Sequence, residues 1–254
     1  PRQTRRPGVN GLVQKMYCWK RKKWRTLGAM KGYGQFCPIA KASEILGERW
    51  THLVIRELGA GSETFNDLRR GLPLMSPSLL SARLKSLESA GVVVRREAGK
   101  KVRYTLTEAG LELKPIILAI GTWGHRWARS KLDREDLDPS MLMWDIHRTM
   151  NADYFGVART VLLFEFSDCP QRSRHWWLVV DEGDVDVCMK DPGHEVDFQV
   201  STDLRTLTAV WMGDLGLGQA VRSRQLQLMG PARLKRDMAT WLGTNYFADV
   251  QPAK

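Results

Sequence analysis

Leu80, Leu84 and Leu87 recur at a spacing of three to four residues, which predicts a helix from Ser76 to about Ala90 with one buried stripe. Ser76 followed by Pro77 marks its start, a cap hydroxyl and then proline at the first helical position, where the missing N–H costs nothing. The opposite face carries Ser78, Ser81, Ala82 and Lys85, which are short or cationic. Upstream, Thr64-Phe65-Asn66-Asp67 sets a cap hydroxyl three residues before a carboxylate and predicts a short helix bearing Phe65, Leu68, Arg69 and Arg70, stopped by Gly71 and Pro73. Gly91 ends the longer helix. Val92 to Arg96 then has strand composition, Gly99-Lys100-Lys101 is a basic turn, and Val102 to Leu106 returns as a second strand. Thr107 caps a further helix in which Ile116, Ile120, Trp123 and Trp127 lie on one apolar stripe.

The pattern changes after Leu132 to Pro139, an acidic, turn-ended segment that reads as a linker. Met141 to Met150 is helical, and Val157 to Phe166, Trp176 to Asp181, Val185 to Met189 and Val196 to Val200 read as successive strands separated by turn signals. A helix follows from Asp203, then a strand at Gln225 to Met229 and a last helix from Ala232 to about Leu242. Strands succeeded by helices make this half α+β, with an antiparallel-rich sheet, rather than a doubly wound parallel sheet.

Capped helix, turn, capped helix and hairpin, in that order, describe a winged helix-turn-helix, whose second helix enters a major groove and whose hairpin tip meets phosphate. The predicted DNA contacts are Ser76, Ser78, Ser81, Ala82 and Lys85 on the helix and Lys100, Lys101 and Arg103 on the wing. Residues 36–127 resemble the HxlR family of bacterial winged-helix transcription regulators. The resemblance is carried by Cys37-Pro38, Leu46-Gly47-Glu48-Arg49-Trp50, Arg56-Glu57-Leu58, Phe65 to Arg70, Met75-Ser76-Pro77, Arg83 to Glu88 and Tyr104 to Gly110. Ser78 departs from it, since relatives often place a long basic residue there. The resemblance implies a homodimer formed through Ile116, Ile120, Trp123 and Trp127, and therefore a pseudo-palindromic operator in double-stranded DNA. It also implies that Cys37, beside Pro38 at a helix start, serves as a redox or electrophile sensor; the alternative is a small apolar residue packing the edge of the domain.

The second half resembles a sterol-carrier-protein-like domain through Asp203 to Leu207, Trp211-Met212-Gly213-Asp214, Ala220-Val221 and Leu226 to Gly230. That resemblance implies an apolar tunnel for a hydrophobic small molecule, with Trp211, Met212, Leu215, Leu217, Val221 and Trp241 as wall residues. At such spacing these are as readily ordinary core.

A length of 254 residues accommodates two cores, and the net charge of +11 is unevenly placed. Residues 1–29 hold basic residues and no acidic one, the segment to 131 is basic, and the remainder is acidic, so nucleic acid belongs to the front part. The expected organisation is a basic extension at 1–29, a winged-helix and dimerisation domain at 30–131, a linker at 132–139 and a ligand-binding domain at 140–254. The extension includes Lys20 to Arg25 and reads as appended, with Met30 as the start; the other reading is a basic arm that tracks phosphates.

Four cysteines without a close pair support neither a zinc site nor a disulfide framework. The glycine pairs at 32/34, 59/61 and 216/218 lack the third glycine of a dinucleotide fingerprint, and no metallohydrolase or Gly-x-Ser-x-Gly motif occurs. Asp181 to Asp186 lacks calcium-loop spacing, since Pro192 stands where the closing ligand belongs. Neither enzyme, cofactor nor metal is expected, and no apolar run is long enough for a secretory signal or a membrane span, so the expected location is the cytoplasm. The competing reading is a lipid carrier or interaction module whose winged helix binds protein or RNA.

Overall fold

The computed structural model describes residues 32–99, 101–128, 133–251 and 253, so the 1–29 extension and Lys100 lie outside the described residues. The described residues divide into two units between Glu44 and Ile45, and the second contains both the rest of the helix-rich part and the sheet domain. Helix α1 is Pro38–Leu46, and α2 is Thr51–Gly59. Helix α2 turns Val54, Ile55 and Leu58 inward, and Trp50 before it adopts φ 77°, a left-handed conformation uncommon for a bulky residue.

Helices α3 (Phe65–Gly71) and α4 (Pro77–Ser89) begin at the residues the capping chemistry indicates. Thr64 Oγ1 accepts from the Asp67 backbone N–H at 3.2 Å and donates to the Asp67 carboxylate at 2.5 Å. Ser76 Oγ accepts from Leu79 N–H at 3.3 Å, and Pro77 occupies the first turn. Leu80, Leu84 and Leu87 are buried and share one core with Leu68, Leu72, Met75, Val92 and Val93, each fully buried leucine contributing about 1.5–3 kcal/mol. Strands β1 (Val93–Ala98) and β2 (Lys101–Leu106) pair antiparallel from Val93↔Leu106 to Ala98↔Lys101.

Gly71 does not stop α3 by itself; it is the last helical residue, and Leu72 caps the helix. A Cβ on Gly71 would lie 1.9 Å from Glu57 Oε2, so the residue type is set by the close approach of a buried carboxylate. Helix α5 (Glu108–Trp123) starts on Thr107, whose hydroxyl accepts from Gly110 N–H at 3.2 Å, and continues as a π-helical turn over Gly124–Ala128 that carries Trp127.

The second domain opens with α6 (Pro139–Thr149), where the Asp138 carboxylate accepts from the Ser140 and Met141 N–H groups. Five strands follow: β3 (Thr160–Phe166), β4 (His175–Asp181), β5 (Asp184–Cys188), β6 (Phe198–Thr202) and β7 (Leu226–Met229). They form one sheet in the order β5-β4-β3-β6-β7, antiparallel except for the β3–β6 pair. Val157 lies before β3 and is exposed, because the alternation of buried positions begins only at Val161. Helices α7 (Leu204–Trp211), α8 (Leu217–Arg222), α9 (Ala232–Arg236) and α10 (Met238–Leu242) complete the domain. The single last helix expected from sequence is two, separated at Asp237. The core joins Leu142, Met143 and Ile146 of α6 to Leu162, Phe164 and Phe166 of β3, Leu207 and Trp211 of α7 and Trp241 of α10. The domain class is α+β, as expected.

After α10 the chain returns to the front domain. Asn245 N–H donates to Trp211 O at 2.8 Å, the Phe247 ring lies 6.5 Å from the His125 ring, and Ala253 N–H donates to Arg126 O at 2.8 Å. A Cβ on Gly121 would meet the Phe247 ring at 2.3 Å, so this glycine makes room for that ring on α5.

Candidate nucleic-acid interface

Once the leucine stripe of α4 is buried, geometry decides which of its other residues face outward. Ser78, Ala82 and Lys85 are exposed and Ser81 is half-buried. Ser78 Oγ lies 3.3 Å from Ser76 Oγ, so the helix start presents two adjacent hydroxyls, one of which also caps the backbone. No long side chain crowds this end, which permits close approach to base edges.

The wing projects from the same core. Its register sets Arg96 opposite Arg103 and Arg95 opposite Tyr104. Lys101 and Arg96 are exposed and have no ion-pair partner among the described residues. Arg103, also among the expected DNA contacts, is exposed; its guanidinium donates to Glu63 Oε2 at 2.6 Å, and Tyr104 N–H donates to Glu63 O at 2.7 Å. Arg103 therefore ties the base of the wing to the turn before α3. Arg96 is the cation that sequence reading passed over, because it lies inside a strand and not at the hairpin tip. Arg95 is paired with Glu97 at 2.8 Å, and that hydrogen bond holds its pKa above the usual arginine value. Arg83 of α4 donates to Glu48 at 3.1 Å.

The expected dimer residues Ile116, Ile120, Trp123 and Trp127 are all exposed, the last two by 62% and 64%. Ile117, about a quarter turn round the same helix, is buried in the core. Cys37 is half-buried, and its carbonyl accepts from Lys41 N–H at 3.0 Å at the start of α1.

The six expected ligand-wall residues separate into two groups. Trp211 and Trp241 are buried in the core, with indole N–H groups donating to Thr149 Oγ1 at 3.3 Å and to Leu234 O at 2.9 Å; Met212 and Leu215 pack against that core. Leu217, which also packs against that core, and Val221 line an open groove of about 780 Å³ along α8, β7 and α9, together with Leu226 and Leu228 and the cations Arg222, Arg224, Lys235 and Arg236. The sequence could not separate these groups, since both have the same apolar spacing.

Front and second domains meet through a buried charge cluster. Glu57 on α2 has no exposed surface and accepts from Arg56 at 2.8 Å, Ser62 Oγ at 3.2 Å and Arg148 Nη1 of α6 at 2.9 Å. Arg148 also pairs with Asp145, and Arg56 Nη2 donates to Gly71 O at 3.2 Å. Burial raises the Asp145 carboxyl above its ordinary value against the pull of Arg148. Burial also works against the Arg148 charge, yet Glu57 and Asp145 outweigh it and hold that pKa above the usual arginine value.

Among the described residues no cluster of three or more histidine, cysteine or acidic side chains could hold a metal ion, and no helix is long and apolar enough to cross a membrane.

Two family profiles match the chain. Residues 45–132 match an HxlR-like helix-turn-helix, and residues 152–242 match the SCP-2 sterol transfer family. The uncharacterized HTH-type transcriptional regulator YvaP of Bacillus subtilis (strain 168) is 38% identical over 112 residues, 42% of this chain and 95% of that protein. YdeP, an uncharacterized HTH-type transcriptional regulator of the same organism, is 32% identical over 101 residues, 39% of this chain and 78% of its own. Among solved structures, the reduced form of the transcriptional regulator YodB from B. subtilis is similar at 33% identity and a TM-score of 0.32, covering 35% of this chain and 92% of that one.

Proposed function

Because the chain belongs to the HxlR-like helix-turn-helix family and carries an SCP-2 sterol transfer domain, we propose that it is a DNA-binding transcription regulator with a hydrophobic-ligand domain behind its reading head. The observation that carries this reading is α4 itself. Its leucines are fully engaged in the core, which commits the face of Ser78, Ala82 and Lys85 to the outside, beside a wing bearing Lys101 and Arg96. Double-stranded DNA fits that face, with α4 in the major groove and the wing lysines at the adjacent phosphates. A mobility shift on the DNA upstream of the protein's own transcription unit tests it. Retarded complexes that resist nonspecific competitor are expected, and no retardation even at low salt would favour the carrier or interaction-module reading.

Dimerisation through Ile116, Ile120, Trp123 and Trp127 is part of the proposal, supported by the exposure of two tryptophans on one helix face. Ile120→Glu should halve the mass seen by sedimentation equilibrium, and an unchanged mass would remove α5 from the interface.

The regulatory input we assign to the SCP-2 domain is an apolar small molecule in the groove lined by Leu217, Val221 and Leu228, whose cations suit a ligand with an acidic end. Native mass spectrometry for a copurified apolar ligand tests this, and a groove that stays empty in protein from the native host counts against it. Oxidation of Cys37 is the rival input; unchanged operator affinity after diamide would exclude it.

A further inference from the structure

Between α3 and the sheet domain lies a second cleft of about 480 Å³, separate from the groove on α8 and β7. One wall comes from the reading head, with Arg69 and Arg70 at the end of α3; the other comes from Trp144 of α6, Trp176 of β4, Val187 of β5 and Met189 beyond it. We propose that this cleft binds an aromatic carboxylate and so joins the two domains through a ligand.

The walls specify both ends of such a molecule. The Arg69 guanidinium is exposed and has no ion-pair or hydrogen-bond partner among the described residues, whereas Arg70 pairs with Asp67 at 3.2 Å and lies over the Trp144 ring at 5.2 Å. A free guanidinium fork presents paired N–H donors matched to a carboxylate. Opposite it, the exposed Met189 thioether, with the small exposed parts of the nearly buried Trp144 and Trp176 rings, forms an apolar, polarisable wall suited to a π-system. The Trp144 indole N–H is buried without a hydrogen-bond acceptor among the described residues. A wholly apolar ligand would desolvate Arg69 without pairing it, and a bare phosphate would leave the indole and methionine wall uncovered. The volume falls within the range of small-molecule sites.

The position has a consequence for DNA. Helix α3 shares its core with α4 through Leu68 and Leu80, so a ligand held between α3 and β4 changes operator affinity insofar as it binds the DNA-bound and free states unequally. That consequence rests on the proposed function; the binding does not.

Calorimetry of the full chain without DNA tests the site, with 2-naphthoate as probe and 2-naphthalenemethanol as its neutral counterpart. Saturable binding at one site is expected for the carboxylate, weaker by about tenfold or more for the alcohol and for Arg69→Gln, the loss expected when a charge-assisted hydrogen bond is removed. Met189→Trp, at an exposed rim position, should fill the cleft and reduce affinity at least as much. No binding of 2-naphthoate, equal binding of the alcohol, or full affinity in both variants overturns the proposal. Loss of operator affinity in Arg69→Gln from a protein that never binds 2-naphthoate would identify Arg69 as a phosphate contact and overturn it too.

Discussion

Arg148 Nη1 donates to Glu57 Oε2 at 2.9 Å, and the carboxylate it reaches has no exposed surface. Arg148 lies near the end of the first helix of the sheet domain and Glu57 belongs to the reading head, so an ion pair with a fully buried carboxylate and a largely buried guanidinium spans the junction. Removing one member of such a pair is more damaging than replacing both, because the survivor is left charged in a poor solvent. Arg148→Met should cost about 3 kcal/mol in denaturant unfolding, the low end of the range for a broken buried pair, since Arg56 and Ser62 still serve Glu57. The double variant Glu57→Leu with Arg148→Met should recover most of that loss. A double variant no more stable than Arg148→Met alone would mean that the pair is not the coupling unit.

Gly71→Ala should destabilise the protein by about 1–3 kcal/mol, the usual range for overpacking. The added methyl would stand 1.9 Å from Glu57 Oε2, and the carboxylate cannot retreat without giving up Arg56, Ser62 or Arg148. Thermal unfolding of the variant checks this. A neutral effect would show that the α2–α3 packing yields more readily than the geometry implies.

Capping and periodicity made the reading head legible because each is a local signal. Thr64, Ser76 and Thr107 all cap where their sequence context indicates, and the leucines of α4 are buried as their spacing requires. Pairings distant in sequence were not legible. Nothing near Gly71 announces Glu57, nothing near Arg103 announces Glu63, and Arg148 and Glu57 are 91 positions apart. The division of the expected ligand wall has the same origin, since Trp241 and Val221 look alike in an apolar pattern and only the folded chain makes one core and the other groove lining.

His147 gives the junction a pH dependence. Burial lowers its pKa from 6.5, opposed by a hydrogen bond to the Trp144 carbonyl and by Asp186, and reinforced by the neighbouring charges of Arg148 and Arg70. The unfolded chain therefore takes up a proton near pH 6.5 that the folded chain accepts only at lower pH. Stability from this residue is complete above about pH 6.5 and declines as the pH falls through the interval below it. Asp145 acts with the opposite sign, because its raised carboxyl pKa makes the folded state bind a proton first as the pH falls toward 3.8. Unfolding free energies measured from pH 7.5 downward should flatten below about pH 6.5 in His147→Asn relative to the wild type. Parallel curves would place the pH dependence elsewhere.

Lys85 and Lys101 distinguish the two modes of contact that α4 and the wing offer. A lysine that neutralises a phosphate releases condensed counterions, so its removal weakens every sequence alike and reduces the slope of log K against log salt by about 0.9. Lys101 stands at the first position of β2, exposed and without an ion-pair partner among the described residues, and in the proposed interface it meets phosphate. Lys101→Ala should therefore lower operator and nonoperator affinity by the same factor, with the full change in slope. Lys85 lies two turns into α4, on the face shared with Ser78 and Ala82. If its ammonium reaches a base edge, Lys85→Ala should reduce operator affinity more than nonoperator affinity, by about 1–3 kcal/mol of discrimination. Fluorescence anisotropy titrations at several salt concentrations, on operator and scrambled duplexes, separate the cases. An unchanged slope and affinity in Lys101→Ala would remove the wing from the interface, and equal losses on both duplexes in Lys85→Ala would make that residue a phosphate contact as well.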